Sequence, residues 1–381
     1  MKLCKHFSEC GGCQFQDKPY KQQLDLKIEK VKDLAVSWEV GARIKPVVYK
    51  EEWFYRNKME FSFADQKGLV CGLYSKKEKR KVVNIEECLI FSKDTQDILE
   101  TIREFCRAKK YSVYNKYSHK GFLRNLIIRQ AKFTKQTMIG LVTGNSQVLD
   151  KKEFVKRLLS LKLEMPIKSI YQIINNSFSD AVIFEKKELL YGSSFIEEKL
   201  GSYIFRIGID TFFQVNPRMA VDFYGQIKKY LNLSGKENVL DLFCGVGSIG
   251  IFLASGGSQV WGVELSEEIV EKARENAKIN NVENISFFAC DVRKFLNIKG
   301  APSKDIDVLV INPPRGGLSN KIIRAILRLK PKVIIYSSCN PDSLFRDLKG
   351  LTISYSVDFV EPYDFFPHTK HFECLSFLRR S

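Results

Sequence analysis

The chain has 381 residues, of which 44% are hydrophobic, and a formal net charge of +17 at pH 7. This length allows two domains, and no apolar run approaches the ~20 residues that cross a membrane. The N-terminus lacks the apolar core of a secretory signal, so we expect a cytoplasmic protein with no membrane partner. The basic excess favours a polyanionic partner, most simply nucleic acid, although a lysine-rich proteome would produce the same excess.

The N-terminal segment is rich in cysteine and glycine. Cys4, Cys10 and Cys13 form the pattern C-x5-C-x2-C. A fourth ligand has to come from elsewhere, and Cys88 in NIEECLIF follows a polar segment, whereas Cys71 lies in an alternating strand and fits packing. In a reducing compartment four thiolates suit zinc or an iron–sulfur cluster, and spacing alone does not choose between them.

The next part of the chain predicts one helix and then a β-rich domain. PYKQQLDLKIEKVKDLA (19–35) has apolar residues at helical spacing. YRNKMEFSFA with LVCGLYS, and later NLIIRQAKFTKQTMIGLVTG, alternate as hairpins do. Helical stretches near 92–108 and 150–163 interrupt the strands.

Basic and aromatic residues alternate in two segments of this β-rich region, FYRNKMEF and SHKGFLRN. Such mixtures suit contact with phosphates and stacking on bases, and equally a sheet with one solvated face. The candidates for RNA contact are Arg56, Lys58, Lys120 and Arg124. The run KKEKRK (76–81) is either a solvated hairpin tip or a further RNA contact.

After about residue 195, strands and helices alternate at short spacing. The series is helix 218–231, NVLDLF, helix 248–254, QVWGVEL, helix 267–279, ISFFACD, DVLVINPP, a helix near 319–328 and KVIIYSS. This order predicts a doubly wound, mostly parallel sheet, hence an α/β protein with a Rossmann-like domain. We place that domain at 196–381, beside a β-rich α+β RNA-binding domain at 19–195 and the cysteine segment at 1–18.

A glycine-rich loop, DLFCGVGSIG (241–250), follows a strand and opens a helix. Gly245, Gly247 and Gly250 have the G-x-G-x-x-G spacing, and Glu264 ends the next strand. The glycines allow close approach of a ligand, and the carboxylate suits a ribose hydroxyl pair. The motif by itself leaves NAD open.

Acidic side chains near this loop favour a different cofactor. Asp241 precedes the loop and Asp291 follows the third strand, which suits a positively charged amino or sulfonium group better than a pyrophosphate. Asn312 opens the motif NPPR after the fourth strand. In this order the features resemble S-adenosylmethionine-dependent methyltransferases.

A cysteine lies just past the end of the following strand, in YSSCNP. A thiolate at Cys339 could add to C6 of uracil and make C5 nucleophilic, and a general base would then remove the C5 proton. Glu373 in HTKHFE is the available carboxylate, and His368 and His371 are the other chemical options for the base.

Taken together, DTFFQVNP, DLFCGVGSIG, NPPRGG, YSSCNP and HTKHFE resemble the RNA uracil-C5 methyltransferase family. The resemblance extends from the first cysteines to Glu373 and implies S-adenosylmethionine as methyl donor. It implies Cys339 as the nucleophile and Glu373 as the base. Gln214, Glu264 and Asn312 match cofactor contacts, although many members have aspartate in place of Asn312.

The same resemblance implies a [4Fe–4S] cluster on Cys4, Cys10, Cys13 and Cys88, with a structural or RNA-organising role. Many members carry an extra N-terminal β-barrel, whereas this sequence begins at the cysteines, as in members that methylate uridine 747 of 23S ribosomal RNA. Another 23S uridine or the tRNA T-loop uridine stays open, although the common bacterial tRNA enzyme usually lacks the cysteines. We expect a monomer.

Competing interpretations make different use of these residues. An NAD-dependent iron–sulfur oxidoreductase would leave Cys339 and Glu373 without a role. A catalytically silent RNA-binding protein would have no need of either residue. An RNA cytosine-C5 methyltransferase also uses cysteine chemistry, but HTKHFE and the N-terminal cysteines fit the uracil family better.

Overall fold

The computed structural model describes residues 3–179, 181–257, 259–297 and 305–381. The helices are α1 (Tyr20–Ser37), α2 (Thr95–Ala108), α3 (Lys151–Leu159), α4 (Pro217–Leu231), α5 (Ser248–Ala254), α6 (Glu267–Ile279), α7 (Val292–Phe295), α8 (Asn320–Leu329) and α9 (Pro341–Leu351). The strands are β1 (Arg43–Ile44), β2 (Lys58–Asp65), β3 (Leu69–Tyr74), β4 (Val82–Asn84), β5 (Leu123–Ala131), β6 (Gln136–Thr143), β7 (Ile167–Ile174), β8 (Lys186–Gly192), β9 (Ile196–Leu200), β10 (Tyr203–Ile207), β11 (Asn238–Leu242), β12 (Gln259–Glu264), β13 (Ile285–Ala289), β14 (Val308–Ile311), β15 (Val333–Ser338), β16 (Tyr355–Tyr363) and β17 (Glu373–Arg380).

The C-terminal half builds an eight-stranded sheet in the order β1-β16-β17-β15-β14-β11-β12-β13. Neighbouring strands from β15 to β13 pair in parallel, as the alternation of strands and helices predicts. The buried run Val308–Ile311 is apolar at every position because helices cover both faces of such a sheet. Strand β17 runs antiparallel to both β15 and β16, so the sheet is mixed.

The central part of the chain builds a seven-stranded sheet in the order β4-β3-β2-β5-β6-β7-β8. The predicted hairpin of β5 and β6 is present, with Leu126 opposite Leu141. Helices α2 and α3 pack together, and α3 lies in the connection that makes β6 and β7 parallel. A separate apolar core, which includes Phe61, Ile98 and Phe154, lies between these helices and the sheet.

The predicted boundary at residue 19 needs correction, because α1 and β1 belong to the C-terminal sheet. Arg43 of β1 pairs in parallel with Phe359 of β16. Val31 and Ala35 of α1 are buried in the same core as Leu309. The buried face of the helix carries Val31 and Ala35 towards its end and the polar Gln23 and Lys27 towards its start, and the helix contacts β16 and α9.

The ribbon of β9 and β10 joins the two halves at the boundary predicted near residue 195. Ile196 and Phe205 share one core with Ile127 and Tyr171 of the central sheet and with Phe252 of α5. The two halves of the chain therefore share a buried core at this boundary. Within the described ranges, no helix combines the length and hydropathy needed to cross a lipid bilayer.

Candidate active site

A cavity of about 570 Å³ opens at the carboxyl ends of the parallel strands. Its walls include Gly245 after β11, Glu264 at the end of β12, Asn312 after β14 and Cys339 after β15. Glu373, the first residue of β17, completes the wall beside Cys339. This is the edge where open α/β sheets bind ligands, because the loops that leave adjacent parallel strands converge there.

The glycine loop presents backbone and carboxylate groups to this cavity. Gly245 has a φ of +53°, and its N–H donates to Glu264 Oε2 over 3.3 Å. Leu265 N–H donates to the other carboxylate oxygen over 2.7 Å. A Cβ on Gly245 would meet no described heavy atom within 4 Å, so the loop leaves open space beside its backbone. This open space beside the backbone is what a loop that binds a ligand closely requires.

Five predicted cofactor contacts line the cavity together: Gln214, Gly245, Glu264, Asp291 and Asn312. The aromatic and aliphatic side chains beside them include those of Phe212, Val246 and Ile269. An apolar slot that ends in a carboxylate suits a nucleoside, with the base between apolar walls and the ribose on Glu264. The residues present fit S-adenosylmethionine.

Two other predicted cofactor contacts support the loop from below and are absent from the cavity wall. Gly247, with a φ of +81°, packs so tightly that a Cβ would lie 2.7 Å from the Phe287 ring. Asp241 is fully buried, and its Oδ2 accepts from Gly250 N–H over 3.1 Å. No described group donates to its Oδ1, and burial raises the pKa of this carboxyl to about 7.

Cys339, Glu373 and Arg315 all line the cavity, close enough together for their charges to interact. Burial raises the pKa of the Cys339 thiol, the Glu373 charge adds to that effect, and Arg315 opposes both. Burial also raises the pKa of Glu373 to about 8, again opposed by Arg315. The structure thus holds a thiol and a carboxyl that both retain a proton near neutral pH unless the guanidinium stabilises the charged forms.

Arg315 is a site residue that the sequence analysis did not predict, although it is the last residue of the NPPR motif. Its Nη2 donates to His371 Nδ1 over 3.1 Å, and its backbone oxygen accepts from Asn340 Nδ2 over 3.0 Å. Burial, followed by the Arg315 charge, lowers the pKa of His371. The imidazole is therefore a neutral acceptor that holds the guanidinium, and it is not part of the cavity wall.

His368 has a structural position instead of a catalytic one. Its ring stacks on Trp53 with centroids 3.9 Å apart, and its Nδ1 lies 3.2 Å from Gln23 Nε2. Burial lowers its pKa to about 4. Of the three alternatives for the base, only the carboxylate of Glu373 lines the cavity.

The central sheet fixes the loop that carries Gln214, a contribution that sequence reasoning missed. Asn57 Nδ2 donates to the Gln214 oxygen and Asn57 N–H to the Val215 oxygen, both over 2.8 Å. Arg129 Nη2 donates to the Thr211 oxygen over 2.5 Å. These contacts join residues more than 80 positions apart, so no local pattern could have identified them.

The structure brings the four predicted cysteines together. Cys4, Cys10, Cys13 and Cys88 line one small cavity of about 20 Å³ near the N-terminus. Burial raises the pKa of Cys13 to about 12, and the other thiols add to the effect. Over the described ranges, no group of three or more His, Cys, Asp or Glu side chains has the spacing to hold a metal ion. Cys71 is buried in β3 and is not among the residues that line this cavity.

The predicted RNA contacts differ in how free their charges are. Lys120 is exposed on a turn, Lys58 lies 3.9 Å from Glu60, and Arg56 Nε donates to the Lys58 oxygen over 2.8 Å. Arg124 is buried, and its guanidinium donates to backbone oxygens of residues 175–179 over 2.7–2.9 Å. Arg124 braces a loop and does not present its charge to a phosphate.

Comparison with known proteins covers almost the whole chain. The family described as tRNA (uracil-5-)-methyltransferase matches residues 19–381. An RNA methyltransferase of Bacillus cereus is 33% identical over 384 residues, covering 99% of this chain and 82% of its own. An RNA methyltransferase of Clostridium acetobutylicum is 36% identical over 386 residues, covering 99% and 83%.

A solved structure has the same architecture. Pyrococcus abyssi tRNA (uracil-54, C5)-methyltransferase, in complex with S-adenosyl-L-homocysteine, is 31% identical and superposes with a TM-score of 0.79. The match covers 97% of this chain and 86% of that one, so it includes both the C-terminal sheet and the central sheet.

Proposed function

Because the chain belongs to the tRNA (uracil-5-)-methyltransferase family, we propose that it methylates C5 of one uridine through a covalent bond to Cys339. It is an S-adenosylmethionine-dependent RNA methyltransferase, and this membership replaces the alternative of an NAD-dependent oxidoreductase. The observation that carries the mechanism is the shared cavity, because Cys339 and Glu373 line it together with the cofactor loop. When bound, the cofactor supplies an electrophilic methyl group on its sulfonium.

The first role of the chain is to make C5 of uracil nucleophilic. Cys339 Sγ, as thiolate, bonds to C6, and the electron pair of the C5–C6 double bond moves to C5 and O4. The thiolate is favoured by Arg315, whose positive charge lowers the pKa of the thiol against the effect of burial. Cys339 also directly precedes the N-terminal end of α9, where the helix dipole favours negative charge.

The second role is to restore the aromatic ring once C5 carries its new carbon. Glu373 takes the C5 proton, the electron pair reforms the C5–C6 double bond, and the Cys339–C6 bond breaks to return the thiolate. A base works best when its pKa lies near the working pH, and burial raises that of Glu373 to about 8. Arg315 lies close enough to oppose this shift and so keeps part of the carboxyl ionised.

The test is methyl transfer from labelled S-adenosylmethionine to unmodified 23S rRNA and tRNA transcripts, with the product nucleotide mapped. The wild-type chain should make 5-methyluridine. Cys339→Ala should retain the fold and cofactor binding and lose turnover. Cys290→Ser, at a partly exposed thiol outside the cavity, is the matched control and should remain active. Methylation by Cys339→Ala at the wild-type rate would overturn the mechanism.

We propose a uridine of 23S rRNA as the target, at position 747, on the resemblance of the chain to members with that activity; the cysteine set counts against the common bacterial tRNA enzyme, which usually lacks it. The tRNA T-loop uridine is the second candidate. It is favoured by the similarity to the Pyrococcus abyssi enzyme, which acts on uracil 54 of tRNA. The two transcripts in the same assay separate the candidates, because the modified position identifies the RNA.

We further propose that Cys4, Cys10, Cys13 and Cys88 hold a [4Fe–4S] cluster. Support comes from four thiols that converge on one cavity. The choice of a cluster over a single zinc ion rests on the family resemblance, because four thiolates suit either one. The cluster would tie the N-terminal segment to the central sheet, and methyl transfer needs no electron from it.

Iron and acid-labile sulfide, measured after anaerobic purification, test this second proposal. We expect about four of each per chain, as the cluster composition requires. Cys88→Ser should lower both, and Cys71→Ser, at a buried thiol that does not line the cavity, should lower neither. Zinc without sulfide, or equal iron in the Cys88 and Cys71 variants, would contradict it.

A further inference from the structure

Outside the catalytic cavity, exposed aromatic rings meet basic side chains on the central domain. Tyr117 is 62% exposed and Phe178 is 76% exposed. The His119 ring lies 4.4 Å from that of Phe178, and Arg80 Cζ lies 5.0 Å from that of Tyr117. We call Arg80, Tyr117, His119, Lys120 and Phe178 the aromatic patch. None of them lines the catalytic cavity.

Hydrogen bonds hold the turn that presents Tyr117 and His119. Asn115 N–H donates to the Lys120 oxygen over 2.7 Å, and Asn115 Oδ1 accepts from Tyr117 N–H over 2.8 Å. Tyr114 Oη lies 3.2 Å from His119 Nδ1. The rings are therefore displayed on a braced turn, which lowers the entropy lost when a ligand stacks on them.

Arg124 braces the opposite side of the aromatic patch. Its guanidinium donates to the backbone oxygens of Asn175, Ser177 and Ser179, on both sides of Phe178. It also stacks over the Tyr114 ring at 3.9 Å. The buried cation thus links the turn that carries Tyr117 to the loop that carries Phe178. Arg124 was predicted from the sequence to contact RNA. In the structure it instead supports the two segments that carry the exposed rings.

Basic side chains predominate on the Tyr117 side of the aromatic patch, whereas the Glu185 carboxylate accepts hydrogen bonds from Asn176 in the loop that carries Phe178. The segment 76–81 contains one acidic residue, Glu78, which pairs with Lys81, and every other position in it is lysine or arginine. Arg80 and Lys120 are exposed. Basic groups beside aromatic faces bind single-stranded nucleic acid, because phosphates meet the charges and unpaired bases stack on the rings.

We propose that the aromatic patch binds an unpaired segment of the RNA substrate, separate from the target uridine. Bases stack on Tyr117 and Phe178, and phosphates contact Arg80 and Lys120. The inference rests on the RNA substrate of the proposed function, and it adds a second point of contact outside the catalytic cavity. Such a contact raises affinity for RNA and leaves the chemistry at Cys339 unchanged.

The test combines Tyr117→Ala with Phe178→Ala and uses a fluorescein-labelled oligouridylate of about 12 nucleotides as probe. Anisotropy should show at least a tenfold loss of affinity, because each stacked base contributes about that factor or more. KM for the unmodified RNA substrate should rise by a similar factor, with kcat and cofactor affinity unchanged. Tyr117→Phe with Phe178→Tyr keeps both rings and should retain affinity.

Phe133→Ala is the matched control, because Phe133 is 47% exposed on the turn between β5 and β6, outside the aromatic patch. It should bind the probe as the wild type does. Unchanged probe affinity and KM in the double alanine variant would overturn the proposal. The same result is expected if the aromatic patch binds a protein instead of RNA. Probe binding through the patch by a wild-type chain that methylates no RNA would refute the proposed function alone.

Discussion

Replacing Glu373 by glutamine separates the base from the rest of the site. Glutamine has nearly the same shape but accepts no proton, so Cys339 can still bond to C6 while the C5 proton cannot leave. A positioned general base contributes about 10²–10⁴-fold to a rate. We therefore expect turnover to fall by at least about 100-fold and a protein–RNA adduct to accumulate.

The same substitution has a consequence for stability that follows from burial. The pKa of Glu373 is raised from 4.5 to about 8 in the folded protein. Between these pH values the folded chain retains a proton that the unfolded chain has released, so the free energy of unfolding falls as pH rises. The decrease is about 1.4 kcal/mol per pH unit, hence about 3 kcal/mol between pH 4.5 and pH 7.

Glu373→Gln should lose activity. Because glutamine does not titrate, the variant should escape the fall in the free energy of unfolding that the wild type undergoes as pH rises. Urea unfolding of both proteins at pH 5 and pH 7.5 measures the difference. The variant should be the more stable at the higher pH, with the gap closing towards pH 5. Glu275→Gln, on the exposed face of α6, is the control and should stay within about 0.5 kcal/mol of wild type at both values.

Two outcomes would refute this reasoning. A pH-independent difference between Glu373→Gln and wild type would mean that the carboxyl is ionised in the folded protein across the range. Rapid turnover without an adduct detectable by denaturing electrophoresis would mean that another group removes the C5 proton. His371 would then be the first residue to replace, because it contacts Arg315 beside the cavity.

Three further changes test the fold and the RNA surface. Lys27→Met leaves buried Asp364 without its 2.6 Å ion pair and should lower the free energy of unfolding by about 3–5 kcal/mol; a loss below 1 kcal/mol in urea unfolding would contradict the pairing. Gly247→Ala forces a Cβ to 2.7 Å from the Phe287 ring at a φ of +81°, so calorimetry should show weakened cofactor binding and a lower melting temperature. Affinity for RNA should fall steeply between about 50 and 200 mM salt, since phosphate contacts release counterions, and a flat titration would exclude them.

Short motifs were enough to predict most of the cavity. Gly245, Glu264, Asn312 and Cys339 each follow a parallel strand, and the sheet brings those strand ends to one edge. Alternation of strands and helices is a local property, so the Rossmann-like half was predictable without knowledge of the fold. The convergence of the four cysteines on one cavity was also predicted, with Cys4, Cys10 and Cys13 identified by their close spacing and Cys88 by its polar neighbours.

Positions inside the site depended on packing between distant segments. Gly247 and Asp241 lie below the loop, because the Phe287 ring and Gly250 N–H occupy the space around them. Helix α1 joined the C-terminal half, since Val31 and Ala35 pack in its core and Lys27 pairs with Asp364. Neither outcome is encoded in the spacing of nearby residues.

Residue types at strand ends were enough to predict the class of fold, the glycine loop, the thiol and the carboxyl. Which groups surround them depended on tertiary packing. It placed Arg315 beside Cys339 and Glu373, and it joined Asn57 to the loop of Gln214. Arg315 opposes the effect of burial on the pKa of both groups, and all of these contacts exist only once segments far apart in the chain have packed together.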